Sequence, residues 1–90
     1  MQVVAKIKRI LDTNNVSENF KMREIHVETE EQYSQTLCIQ FVQDKTSLLD
    51  NFKPGEKVKI EVNLRGKEVM KENKPIVFNT IQGWKIERAV

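Results

Sequence analysis

Residues Glu56–Gly66 read Glu-Lys-Val-Lys-Ile-Glu-Val-Asn-Leu-Arg-Gly, and Val58, Ile60, Val62 and Leu64 alternate without a break against Lys57, Lys59, Glu61, Asn63 and Arg65. Successive side chains of a strand point to opposite faces, so this stretch is a strand with one apolar and one charged face. Four apolar side chains on one side demand a partner sheet or a closed barrel to cover them. Lys53-Pro54-Gly55 launches the strand, because proline fixes one φ angle and glycine takes a positive one. The rest of the chain is expected to wrap around it.

The 90 residues leave room for one core, so 1–90 is expected to form a single domain. An apolar fraction of 39% argues against disorder, and no apolar run is long enough to span a membrane. The start Met-Gln-Val-Val-Ala-Lys lacks the basic and apolar regions of a secretion signal, and Cys38 is the only cysteine. A cytoplasmic location is the expectation from both. Asn15-Val16-Ser17 matches the glycosylation triplet, a chance match without secretion. Fifteen basic against thirteen acidic residues give a net charge of +2, too little to signal a nucleic-acid partner by itself. Where the charges fall matters more than their sum.

Val3, Ala5 and Ile7 alternate with Val4, Lys6 and Lys8 before the apolar phase slips to Ile10, which predicts a β-bulge near Lys8-Arg9. Residues 12–19 read as a polar loop. A second strand starts near Phe20, where Phe20 and Met22 share one phase and Ile25 and Val27 the other; this predicts a slip near Arg23-Glu24. Glu28–Gln32 reads as a solvated hairpin end, and Thr36–Val42 resumes clean alternation. If the hairpin centres near Gln32, Val27 faces Leu37 and Ile25 faces Ile39, which unites both apolar sets on one side. The same register puts His26 opposite Cys38.

Asp44–Phe52 breaks the alternation, with Asp44 as the expected N-cap and Leu48, Leu49 and Phe52 on one face of a short helix. Residues 69–74 read as a second polar loop, after which Pro75 opens the last strand. There Ile76 and Phe78 share a face and Ile81 follows a further slip, with Gly83, Trp84 and Ile86 completing the strand. Three strands, a short helix and two strands is the order of the OB-fold, a five-stranded Greek-key barrel that binds oligonucleotides or oligosaccharides on strands 2–3 and adjoining loops. A different small barrel or an open α+β sheet is the competing fold.

The segments Glu24–Tyr33, Asp44-Lys45, Lys53–Val58 and Trp84–Glu87 resemble a bacterial family of short, uncharacterised OB-fold proteins similar to single-stranded-DNA-binding proteins. The resemblance covers nearly the whole chain in the same motif order, and implies the OB-fold and binding of single strands. Two positions depart from the family pattern. Val42 stands where strand 3 often ends in tryptophan, and Met70–Lys74 replaces a loop often rich in aromatics.

Single-strand binding needs cations for the backbone and flat side chains for bases. The candidates are Phe20, Lys21, Arg23, Lys71, Lys74 and Phe78, on strands 2–3 and on loops 12–19 and 69–74. Packing is the competing role for Phe20 and Phe78, and Trp84 reads as a core or barrel-end residue. Lys57, Lys59 and Arg65 are interrupted by Glu61 and read as a solvated face. His26 and Cys38 are two metal ligands where zinc wants three or four, so no metal site is expected. No glycine-rich phosphate loop, orienting group or oxyanion hole accompanies them, so neither an enzyme nor a cofactor is expected. The expected function is weak, sequence-nonspecific binding of single-stranded DNA or RNA. The alternative is a protein-interaction or assembly module, homo-oligomeric or with another partner.

Overall fold

Alternation yields strands almost wherever it occurs. The computed structural model describes residues 1–89, which form β1 (Gln2–Ile10), β2 (Asn14–Ser17), β3 (Phe20–Thr29), β4 (Thr36–Val42), a 3-10 helix (Gln43–Asn51), β5 (Lys57–Lys71) and β6 (Lys74–Arg88). Five strands close a ring: β1 pairs with β5, β5 with β6, β6 with β4, β4 with β3, and β3 with β1. The β4–β6 pair is parallel and the other four are antiparallel. This is the OB barrel, with β2 added as a short hairpin strand on β3.

The barrel is filled by Ala5 and Ile7 of β1, Ile25 and Val27 of β3, Ile39 and Phe41 of β4, and Val58, Ile60 and Val62 of β5, with Leu49 closing one end. Each large member stabilises the fold by about 1.5–3 kcal/mol through burial. The β3–β4 register pairs Val27 with Leu37, Ile25 with Ile39 and His26 with Cys38, as apolar matching predicts. β1 slips between Ile7 and Arg9, at the expected bulge. Gly55 takes φ +95° while Glu56 N–H donates to Lys53 O at 3.2 Å, a type II turn with Pro54 ahead of the glycine.

The 3-10 helix fills the gap between β4 and β5, but its period is tighter than an α-helix. At three residues per turn Thr46, Leu49 and Phe52 line up against the barrel, and Leu48 falls to one side, half-buried. The expected cap at Asp44 is replaced by Val42, which caps with no side-chain bond, and Asp44 sits in the first turn. Arg88, at the end of β6, clips the helix end to the turn before β5: its Nε donates to Glu56 Oε2 at 2.6 Å, its Nη2 to Asn51 O at 2.6 Å, and its guanidinium lies 4.9 Å from the Phe52 ring centre.

Six further expectations are corrected. Residues 69–74 are not a loop, because β5 and β6 stay paired down to Lys71 and Lys74 and are joined by Glu72-Asn73, whose φ angles of 51° and 63° make a two-residue hairpin turn. Within 12–19, Asn14–Ser17 pair with β3 as β2. β3 has no slip at Arg23-Glu24, because Arg23 itself occupies an inward position in the unbroken alternation. In β6 the slip lies at Trp84, where Val62 pairs with Gly83 and Glu61 with Lys85. This bulge turns Trp84 outward, so it is 45% exposed and outside the core. Leu64 also leaves the core, 64% exposed, because the barrel wall ends at Val62. Beyond it β5 and β6 project as a two-stranded arm. Fifteen residues at ~3.3 Å measure about 50 Å, which matches the molecule's 48 Å long axis.

Candidate nucleic-acid interface

Where the arm leaves the barrel it overhangs the outer face of β3 and β4. The resulting cleft, about 600 Å³, is lined by Glu24, Cys38 and Gln40 from the barrel and Leu64, Gly66 and Ile81 among the arm residues. Glu24 and His26 are two apart on β3 and share a face, with Gln40 and Cys38 directly opposite on β4. Gln40 Nε2 donates to Glu24 Oε2 at 3.4 Å. Arg9 Nη1 lies 2.8 Å from His26 Nδ1, and a guanidinium only donates, so Nδ1 accepts in this contact.

Partial desolvation beside the cleft pushes the thiol of Cys38, an exposed residue, up to about 11, with the Glu24 charge and its hydrogen bond adding to the effect. The folded value lies above the ordinary ~8.5, so thiolate is scarce at neutral pH and grows only as pH approaches 11. Alkylation of Cys38 at mildly alkaline pH should run roughly tenfold to a hundredfold slower than in urea-unfolded protein, after allowance for the greater nucleophilicity of a high-pKa thiolate. Glu24→Gln should recover part of the rate. A folded rate equal to the unfolded one would show that Glu24 and burial leave the thiol unperturbed.

The arm carries the second set of functional side chains. Directly opposed residues of an antiparallel pair point the same way, so Arg65, Lys67, Val69 and Lys71 of β5 share a face with Thr80, Phe78, Ile76 and Lys74 of β6. Four cations thus alternate with three apolar side chains, and none of the eight positions is acidic. Phe78, paired with Lys67, is 58% exposed. Lys71 and Lys74 stand directly opposite each other, a like-charge pair that repels unless an anion lies between them. The other face of the arm carries Leu64, Met70 and Val77, all exposed, with Glu68 among them.

Of the six candidates, Lys71, Lys74 and Phe78 come together on this arm. Phe20 and Lys21 sit instead at the β2–β3 turn, both exposed, beside a hollow of about 270 Å³. Gln43 braces that turn by donating to Asn19 O at 3.0 Å. Met22 aligns with Val42, and Ile39 with Ile81. The two groups therefore lie about eight strand residues apart, or roughly 26 Å. Both packing roles considered for Phe20 and Phe78 give way to exposure. Lys67, Val69 and Ile76 complete the exposed face and escape notice when 69–74 reads as a loop, whereas Arg65 reads as a solvated position and Trp84 as core. The turn pair Glu72-Asn73 between two runs of alternation was the available signal.

Arg23 has a different task. Its side chain is 16% exposed. Nε donates to Leu11 O at 2.8 Å, and Nη1 to Thr46 O at 3.3 Å and to Asp50 Oδ1 at 2.7 Å. It ties the chain after β1 and the helix to β3. Asp50 is well solvated, so the ion pair contributes little and the two carbonyls decide the energetics. Arg23→Ala should destabilise the protein by about 2–3 kcal/mol, measured by urea unfolding. Arg23→Lys, which cannot fork, should recover less than half, and full recovery would show that charge alone matters.

Residues 2–87 match the family described as Domain of unknown function (DUF3127). No protein of curated function matches the chain. Two crystal forms of the mitochondrial single-stranded DNA binding protein Rim1 from S. cerevisiae share its fold, with TM-scores of 0.73 and 0.75 at 12% identity, covering 98% of this chain and 91% of theirs. At that identity the likeness shows the OB-fold alone.

Proposed function

We propose that this chain, which belongs to the family of unknown function just described, is a non-catalytic OB-fold module that holds single-stranded nucleic acid weakly and without sequence preference. The observation that carries this reading is the acid-free arm face, where Arg65, Lys67, Lys71 and Lys74 alternate with Val69, Ile76 and Phe78. Cations beside an exposed aromatic meet both needs of a single strand, phosphate neutralisation and base stacking. The opposed Lys71–Lys74 pair supports the same reading, since a bound phosphate relieves its repulsion. The cleft on the arm's other side opens onto β3 and β4, the second and third barrel strands, where OB-folds take ligands. The fold of Rim1, a single-stranded DNA binding protein, points the same way.

The test is a fluorescence-anisotropy titration with labelled oligo-dT at rising salt. Four phosphate contacts give a slope of log Kobs against log salt of about −2 to −3. Absence of salt-sensitive binding up to high micromolar protein would overturn the proposal. One observation favours a protein-interaction or assembly module instead: Leu64, Met70 and Val77 leave the opposite arm face apolar and uncovered. A stable oligomer in light scattering, lost on Leu64→Ser with Met70→Ser, would favour that reading.

A further inference from the structure

Three potential metal ligands of different chemistry meet on the barrel's outer face. Glu24 and His26 project from β3 and Cys38 projects from β4 directly opposite His26, and their donor atoms all lie within 4.8 Å of one another. We infer that Glu24, His26 and Cys38 form a binding site for a borderline divalent transition ion, zinc being the best match. The site does not depend on the nucleic-acid reading.

The donor set argues for the class of ion. Thiolate, imidazole and carboxylate together suit zinc, whereas magnesium and calcium want oxygen alone. Bonds of ~2.0–2.3 Å to a tetrahedral zinc place the donors roughly 3.3–3.8 Å apart. The cluster needs to contract by about 1 Å, which side-chain rotation supplies while the β3–β4 register holds the backbone. The fourth position falls to water or to the Gln40 amide oxygen, since Gln40 already touches Glu24. On binding, the Cys38 thiol releases one proton to solvent, and sulfur takes a bond to the ion. The ion's charge replaces the repulsion between a thiolate and the Glu24 carboxylate with attraction to both.

Arg9 competes with the ion. Its guanidinium donates to His26 Nδ1 at 2.8 Å, so Nδ1 becomes a ligand only after Arg9 leaves. Ligation through Nε2 also displaces Arg9, because the ring proton would move to Nδ1 and a guanidinium cannot accept it. Arg9 is exposed and free to swing into water. Removing it should therefore tighten metal binding, a gain that damage to the fold would not produce.

Cobalt(II) titration of the full chain under reducing conditions near neutral pH tests this, read by thiolate-to-cobalt charge-transfer absorption, with zinc added afterwards to displace cobalt. One cobalt per chain is expected, displaced by zinc. Cys38→Ser should abolish the charge-transfer band, His26→Ala and Glu24→Gln should weaken binding by roughly tenfold or more, and Arg9→Gln should strengthen it severalfold. No band up to millimolar cobalt would overturn the inference. So would a band unchanged by His26→Ala and Glu24→Gln, which would mark a lone thiol.

Discussion

Gly83→Ala is expected to destabilise the protein by about 2–3 kcal/mol, seen as a lower urea midpoint with an unchanged slope. A Cβ at this position would lie 2.5 Å from Cζ of Phe41 and 2.9 Å from its Cε1 and Cε2. Real side chains do not approach so closely, so either the ring or β6 must move. Phe41 is fully buried in a core packed to crystal-like density, so the ring has nowhere to retreat. β6 is the weaker party. Its parallel seam with β4 consists of two residue pairs, Ile39 with Ile81 and Gln40 with Gln82, and Gly83 comes next. Displacing β6 there opens the ring at its shortest join, and backbone amides of Ile81 and Gln82 should lose hydrogen-exchange protection first.

A double-mutant cycle separates this steric account from a loss of backbone freedom. Phe41→Leu removes the ring atoms that the new Cβ would strike, so Gly83→Ala should cost markedly less in that background. Additive effects would show that the contact is not the cause. The same contact explains why β6 gives the core no fully buried large side chain: its inward position next to the seam is a glycine, and β4 fills the space with Phe41.

Alternation carried most of the barrel. Val58, Ile60 and Val62 needed cover on one side, and Ile25, Val27, Leu37 and Ile39 admitted one register that hid them all together; the structure keeps both. Leu64 marks where this logic fails. Alternation specifies which way a side chain points, but not whether another element stands opposite, and beyond Val62 none does. Arg23 and Trp84 show a second limit. A long cation at an inward position imitates a break in phase, because it reaches past the barrel end to the Leu11 and Thr46 carbonyls. The bulge lies at Trp84, three residues beyond the slip that the apolar pattern suggests between Phe78 and Ile81, because Gly83 carries no side chain to mark the phase.

The candidate site was less legible for the same reason. Lys71, Lys74 and Phe78 were found by type, but their common face follows from the pairing of Lys71 with Lys74 across Glu72-Asn73. Turns with two positive φ angles favour Asn-Gly or Asp-Gly, and a glutamate at the first position conceals the signal. Beside His26 and Cys38, Glu24 carries no signal in the sequence, since acidic strand residues are commonplace. Its place in the cluster follows once His26 faces Cys38, since Glu24 lies two residues along the same face.

Replacing Arg65, Lys67, Lys71 and Lys74 together by glutamine should cut affinity for oligo-dT by roughly two orders of magnitude at low salt and flatten the salt dependence towards zero, each lost phosphate contact removing about 0.7 from the slope. All four side chains are exposed on an arm that adds nothing to the buried core, so folding stability should hold. It should rise slightly, because the Lys71–Lys74 repulsion goes with them. Phe78→Ala acts on the other half of the interaction. Losing one base stack weakens binding by about 1–3 kcal/mol while leaving the slope intact. The contrast is diagnostic, since a general loss of the arm would change both quantities in both variants. If the quadruple variant binds with unchanged slope, phosphates lie elsewhere. Phe20 and Lys21, roughly 26 Å away along the strands, then become the primary contact, to be tested by Lys21→Gln with Phe20→Ala.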